Sequence, residues 1–357
     1  VALCAVLFSA TLSLAWDANP EPNIAGYILY YGTAPGSYTT SIYVGKVVAY
    51  QFVEPVVGPT YYFSLQAVNT QGIGSGLSNE VTSSRIRLAN FDGDNRSDIA
   101  VYRPADGSWW LRKSYNGATQ MKQWGATGDI PLAGDFDGDG KSDLVAYRPS
   151  LGVWFIVLSS KGYDSAQARS YQWGASGDVP LITDYDGDNR ADLTIYRPST
   201  GDWFIWFSRN NFQSGDWTSA RWGSTGDMPL AADIDGDRRS DLMVYRPTTG
   251  DWFMMSTATG AQRVLRWGTD GDKPIAADCD GDGRSDVAVF RPSTARWYMW
   301  YSTGDFPAWN TASVVWGADG DIPAVGDFDG DTRADVGVFR PSTGQWFRRF
   351  WSGASDS

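Results

Sequence analysis

Between residues 90 and 335 the chain repeats one nine-residue phrase six times: Asp-x-Asp-Gly-Asp-x-basic-x-Asp. This recurrence limits the possible folds more than any other feature. The copies begin at Asn90, Asp135, Asp184, Asp233, Asp278 and Asp327, spaced 45, 49, 49, 45 and 49 residues apart. Each copy runs into a short apolar stretch, then Tyr/Phe-Arg-Pro, then Trp followed by a second aromatic. Five copies close on Trp-Gly-x-x-Gly-Asp-x-Pro. A period of 45–49 residues suits one small antiparallel sheet per repeat, stacked or ringed with its neighbours.

The phrase has the chemistry of a hard-cation loop. Oxygens at positions 1, 3, 5 and 9 of a tight turn can converge on one ion, and Gly at position 4 lets the turn close. Position 7 is always basic and is expected to offer its backbone carbonyl while its charged end points to solvent. The candidate ligands are Asn90, Asp92, Asp94, Arg96 and Asp98; Asp135, Asp137, Asp139, Lys141 and Asp143; Asp184, Asp186, Asp188, Arg190 and Asp192; Asp233, Asp235, Asp237, Arg239 and Asp241; Asp278, Asp280, Asp282, Arg284 and Asp286; and Asp327, Asp329, Asp331, Arg333 and Asp335. Ca²⁺ fits such flexible, oxygen-rich loops better than Mg²⁺. About six ions are expected, one per repeat, with the first site weakest because Asn90 replaces an Asp. Six divalent cations would cancel the formal charge of −12. The loop is not an EF-hand, which needs Gly at position 6 and Glu at position 12. The whole chain has three Glu, all before residue 81. A row of metal-free Asp-rich turns is the plain alternative, disfavoured because crowded carboxylates repel.

Composition narrows the class further. Forty Gly, 17 Pro and 15% aromatic residues argue for strands and turns over helices. The chain contains no His, which removes Ser-His-Asp and Cys-His nucleophiles and His-ligated zinc or haem. The acidic balance speaks against nucleic-acid partners. Of the two Cys, Cys279 occupies a slot filled elsewhere by Phe, Tyr or Ile and is read as a buried free thiol. Paired Asp can serve glycoside hydrolysis, but nearly every Asp here already has a repeat-based role, so the chain is read as not an enzyme. Asn95-Arg96-Ser97 matches a glycosylation pattern inside an acidic loop and is discounted.

Residues 88–350 resemble the FG-GAP repeats of integrin-type β-propellers, also known as VCBS-type repeats in secreted bacterial proteins. The resemblance implies four-stranded blades around an axis, each carrying a calcium loop. It assigns residues 85–357 to a six-repeat propeller of six blades, closed by joining N- and C-terminal strands; an open superhelical array is the structural alternative. Residues 1–84 resemble a bacterial secreted fibronectin type III domain. The residues that carry this likeness are Trp16 with Asp17 to Pro20, Gly26-Tyr27, Tyr30-Tyr31-Gly32, Tyr61-Tyr62-Phe63, Ala67-Val68-Asn69, Gly72 and Ser78 to Val81. This implies a β-sandwich spacer or adhesion module without a catalytic site. The expected fold class is therefore all-β, a sandwich followed by a propeller.

Val1–Trp16 carries no charge and is short for a membrane span. It reads either as the apolar centre of a secretory signal or as a retained strand, and the strand is favoured. Both readings place the protein outside the cytoplasm, secreted or at the cell surface. Val1–Phe8 is the segment available as the sandwich's first edge strand. It can fold back, or pair with a neighbouring molecule as a donor strand.

Arg103, Arg148, Arg197, Arg246, Arg291 and Arg340 of the Arg-Pro pairs are expected to bind Asp129, Asp178, Asp227, Asp272 and Asp321 or to stack on a repeat Trp, joining blades. Trp109, Trp154, Trp203, Trp252, Trp297 and Trp346 are expected in packing. Three longer hairpins, 159–170, 208–220 and 302–313, carry Tyr163, Phe212, Trp217, Phe306 and Trp309. Read as exposed aromatics on variable loops, they suit sugar stacking or a surface-protein partner, with plain loop variation the default alternative. The functional expectation is a secreted, calcium-stabilised structural or adhesive protein, self-assembling into filaments or a surface layer through Val1–Phe8. The alternative is a monomeric adhesin or glycan-binding propeller, with a polysaccharide-active enzyme third.

Overall fold

The computed structural model describes residues 3–8, 11–16, 18–33, 36–53, 61–351 and 355–356. Among them the regular structure is all β apart from three short 3₁₀ turns at Ser159–Lys161, Ser165–Gln167 and Pro292–Thr294.

The first strands are β1 (Leu3–Phe8), β2 (Thr11–Trp16), β3 (Ile24–Gly32), β4 (Thr40–Gly45), β5 (Ala49–Val53) and β6 (Tyr62–Asn69). β2 pairs with β1 and β5, while β3 pairs with β4 and β6. The two groups meet across a core of Leu14, Trp16 and Phe52 against Tyr27, Leu29, Phe63 and Leu65. Trp16 packs edge-on to Tyr27 at 5.5 Å between ring centres, and Phe52 to Phe63 at 5.0 Å. Such offset aromatic contacts add to simple area burial.

β7 (Val81–Ala89) connects this unit to the repeats. Its start pairs with β6, its middle runs parallel to β1 (Ala5↔Ser83 to Leu7↔Arg85), and residues 85–89 pair with β8 (Asp98–Arg103). β1 therefore lies between β2 and β7 within one chain. β9 (Ser108–Arg112) and β10 (Thr119–Gln123) complete the first blade.

Five more four-stranded antiparallel sheets follow, each one unbroken stretch of chain. They are β11–β14 (Ile130–Gly134, Asp143–Arg148, Val153–Val157, Arg169–Gln172) and β15–β18 (Val179–Thr183, Asp192–Arg197, Asp202–Trp206, Trp217–Arg221). Next come β19–β22 (Met228–Ala232, Asp241–Arg246, Asp251–Met255, Gln262–Arg266) and β23–β26 (Lys273–Ala277, Asp286–Arg291, Arg296–Trp300, Thr311–Val315). The last is β27–β30 (Ile322–Gly326, Asp335–Arg340, Gln345–Arg349, Ser355–Asp356).

The first strands of the six sheets touch in sequence: β7 meets β11, then β15, β19, β23 and β27, and β27 returns to β7. The arrangement is a closed, propeller-like ring of six blades. Closure differs from the expectation in one respect. Among the described residues no blade combines N- and C-terminal strands; the last blade meets the first side by side.

Each blade's second strand is buried on both faces, so its alternate residues serve two neighbours. Val145, Tyr147, Trp154 and Ile156 pack with Leu193 and Ile195 of the next blade. Leu144 and Val157 pack back on Tyr102, Trp109 and Leu111 of the previous one. The fourth strands β18, β22 and β26 alternate exposed and half-buried, as outer edges do. Cys279 is a buried free thiol, as its apolar slot implied.

Candidate metal centre

Each acidic phrase forms the loop between the first and second strands of a blade, and the loops hold their shape through carboxylate–backbone bonds. The first-position Asp caps its own turn. Asp135 Oδ1 accepts from the N–H of Gly138 (2.6 Å) and Oδ2 from that of Gly140 (2.8 Å). The fifth-position Asp139 accepts from Lys141 N–H at 2.9 Å. Gly at position 4 has φ between +78° and +86° in all six copies, which explains its invariance. Position 6 is also left-handed throughout, although four copies place Asn95, Asn189, Arg238 or Thr332 there.

The ninth-position Asp is the most buried member. Asp98, Asp143, Asp192, Asp241, Asp286 and Asp335 are all 0–1% exposed. Each clamps the loop to the following hairpin. Asp143 accepts from Phe136 N–H at 2.9 Å and Ser159 N–H at 2.7 Å, and the other five repeat the pair. Burial pushes the carboxyls of Asp143, Asp192, Asp286 and Asp335 up to about 7 and that of Asp241 to about 6, with neighbouring acids adding to the rise.

The predicted acids do come together. Carboxylate oxygens lie within 4.8 Å of one another in the trios Asp92–Asp94–Asp98, Asp135–Asp137–Asp143, Asp184–Asp186–Asp188, Asp233–Asp235–Asp241 and Asp278–Asp280–Asp282. Three third-position oxygens, Asp92 Oδ2, Asp137 Oδ1 and Asp186 Oδ1, are buried with no hydrogen-bond partner. A buried, unpaired carboxylate oxygen is costly unless a cation meets it. The residues therefore fit a hard divalent ion. Asn90 departs from the pattern: its Oδ1 accepts from Gly93 N–H at 2.7 Å while its amide donates to Gly140 O in the next loop at 3.3 Å.

Position 7 departs from the sequence reading only in part: Arg96, Arg239, Arg284 and Arg333 are exposed, as expected, but the side chain also makes a second contact. Its side chain does not simply point to solvent but crosses to the preceding loop, where Lys141 lies against Gly93, Arg190 against Gly138, Arg239 against Gly187, Arg284 against Gly236, Arg333 against Gly281 and Arg96 against Gly330. Arg190 also donates to Phe136 O at 2.9 Å. Beside it, each eighth-position N–H donates to the first-position carbonyl of that same loop. These bonds, 2.6–2.7 Å long, run Ser142→Asn90, Ala191→Asp135, Ser240→Asp184, Ser285→Asp233, Ala334→Asp278 and Ser97→Asp327. The six loops thus form one hydrogen-bonded circle, a feature invisible in any single repeat.

The Arg-Pro arginines pair with the expected acids, but within blades. Arg148–Asp129, Arg197–Asp178, Arg246–Asp227, Arg291–Asp272 and Arg340–Asp321 are two-pronged, at 2.7–2.8 Å. Each tethers a blade's entry turn to its own second strand. The guanidinium stacks not on the first repeat Trp but on the aromatic after it: Phe155, Phe204, Phe253, Tyr298, Phe347, and Trp110 for Arg103. The blade-joining residue is instead the Trp of Trp-Gly. Trp124, Trp173, Trp222, Trp267 and Trp316 donate from Nε1 to the third strand of the following blade. Trp109, Trp154, Trp203, Trp252 and Trp297 are fully buried; Trp346 is only half-buried.

The long hairpins also differ from expectation. Phe212 and Phe306 are buried, turned inward by left-handed backbone at φ 58° and 54°. Tyr163 is half-buried and donates to Ser142 O at 2.9 Å. Trp217 and Trp309 are exposed, at 48% and 79%.

The family described as FG-GAP-like repeat matches residues 278–338, which span the fifth loop and run through the sixth. No curated protein matches the chain. Solved structures similar to it include a catalytically inactive virginiamycin B lyase from Staphylococcus aureus with quinupristin, 12% identical over 93% of this chain and 96% of that one, TM-score 0.47. A hydrazine synthase from Kuenenia stuttgartiensis is 10% identical over 84% and 97%, TM-score 0.49. An Fn3-like protein from Clostridium thermocellum is 29% identical over 24% of this chain and 91% of its own, TM-score 0.22. The chain is a repeat-built β protein with a propeller-like ring and an FG-GAP-like repeat. Among the described residues no helix is long and apolar enough to cross a membrane.

Proposed function

We propose that this is a secreted, calcium-stabilised, non-enzymatic structural or adhesive protein, with residues 1–84 a fibronectin type III-like module and residues 85–357 a calcium-binding propeller. The observation that carries the calcium reading is the set of orphaned, buried oxygens of Asp92, Asp137 and Asp186 inside acidic trios. A bound calcium would supply charge neutralisation and cross-linking of loop oxygens. The chain's own acids preform the loop, and their neighbours' basic residues lock it to the next blade. The recurrent acids are taken up by this architecture, which supports a non-catalytic role.

The self-assembly reading rests on β1. It is an uncharged strand bordered by an antiparallel partner on one side and a parallel partner on the other. A strand held by such ladders can be exchanged for the same strand of a second copy. Negative-stain electron microscopy of the full chain in millimolar-range calcium tests this. Filaments that vanish on deletion of residues 1–10 are the expected result. Isolated particles, or filaments that survive the deletion, overturn it. The exposed Trp217 and Trp309 favour the second reading, a glycan-binding module. On that reading Trp309→Ala abolishes retention on a glycan surface.

A further inference from the structure

The six loops share a backbone but face different side chains, and this inference rests on their reading as calcium loops. Around the second and fifth loops the following hairpin offers hydroxyls. Ser159 Oγ donates to Asp139 at 2.8 Å and Ser160 Oγ to Asp137 at 2.5 Å. Ser302 Oγ donates to Asp282 at 3.0 Å and Thr303 Oγ1 to Asp280 at 2.6 Å. In the third blade the residue aligned with Ser160 and Thr303 is Arg209. One arm of its guanidinium lies 3.5 Å from Asp186 Oδ2, and another group bonds Asp216 from Nε at 3.1 Å. Asp216 is also bonded by the second terminal nitrogen, and the guanidinium sits 4.1 Å over the Phe207 ring. Asn210 adds a further bond to Asp216 at 2.8 Å, so the whole group is held beside the loop. The same loop keeps Asp186 Oδ1 buried and unpartnered, and the fully buried Ser208 has a hydroxyl that makes no hydrogen bond.

We propose that Arg209 gives the third loop a cation of its own, making it a divalent-cation site at least tenfold weaker than the second and fifth loops. A divalent ion entering there must work against a guanidinium whose charge Asp216 offsets only in part, over and above the position-7 basic residue that each loop has beside it. The second and fifth loops instead present neutral hydroxyls at the aligned position. The chain would then fill its loops in an order set by the hairpins, not by the acids alone.

Calcium titration of the full chain tests this, with bound ions counted by native mass spectrometry and affinities read by calorimetry. Arg209→Ser should tighten one weak site about tenfold, and Thr303→Arg should weaken one strong site by a similar factor. The second variant keeps the test alive if the first fails to fold. Unchanged affinity distributions in both variants overturn the role of Arg209 while leaving the calcium loops standing. A wild-type chain that binds no calcium at all overturns the loops' reading, and the proposal with it.

Discussion

At the residue scale, the acidic loops depend on two left-handed positions, and glycine occupies just one of them in every copy. Position 6 is the weaker design. Thr332 sits there at φ +74°, a conformation that crowds a β-branched side chain. Its backbone N–H donates to Asp327 Oδ2 at 2.9 Å, a bond that any residue can make. Thr332→Gly should therefore stabilise the protein by about 1 kcal/mol, the relieved strain exceeding glycine's extra unfolded-state entropy. Equilibrium denaturation checks the sign. A loss of stability would mean that the Thr332 side chain makes an unrecognised contribution to the loop.

At the element scale, two tryptophans per blade look alike in sequence and do different work. Trp203 is fully buried and donates to Trp222 O at 2.7 Å within its blade, while Trp222 is half-buried and donates to Phe253 O in the next at 3.1 Å. Trp203→Phe combines a lost hydrogen bond with an internal cavity and should cost roughly 2–4 kcal/mol. Trp222→Phe loses mainly the bond between blades and should cost about 1 kcal/mol. Guanidinium denaturation of both variants gives the comparison. The strands, the loops and the Arg–Asp partners were legible because each is local or strictly periodic. Period says which residues recur but not which neighbour they touch. Arg190 was therefore placed in solvent when it lies on Gly138, and Arg148 was credited with joining blades when Trp124 does so. Phe212 and Phe306 were misplaced for another reason: each sits at a left-handed position itself, with Asn211 or Asp305 before it, and an aromatic at positive φ has no signature in composition.

At the scale of the whole molecule, metal and fold are linked through mass action. A site held at one hundred times its dissociation constant stabilises the folded chain by about 2.7 kcal/mol, and several such loops add. Excess chelator should lower the melting temperature by about 10 °C or more, since each kcal/mol is worth roughly 1–2 °C in a chain of 357 residues and the loops' contributions sum. Calorimetry with and without chelator decides it, and superimposed melting curves would remove calcium from the account. The circle of loop-to-loop bonds also has no privileged first member. Ser97 bonds Asp327 as Ser142 bonds Asn90, yet successive blades are also joined covalently, while the last and first meet without a peptide link. The molecule is thus a bracelet with a clasp. A circular permutation would move the clasp to a different pair of blades without changing the links themselves, and under load or metal loss the clasp is where such a bracelet parts.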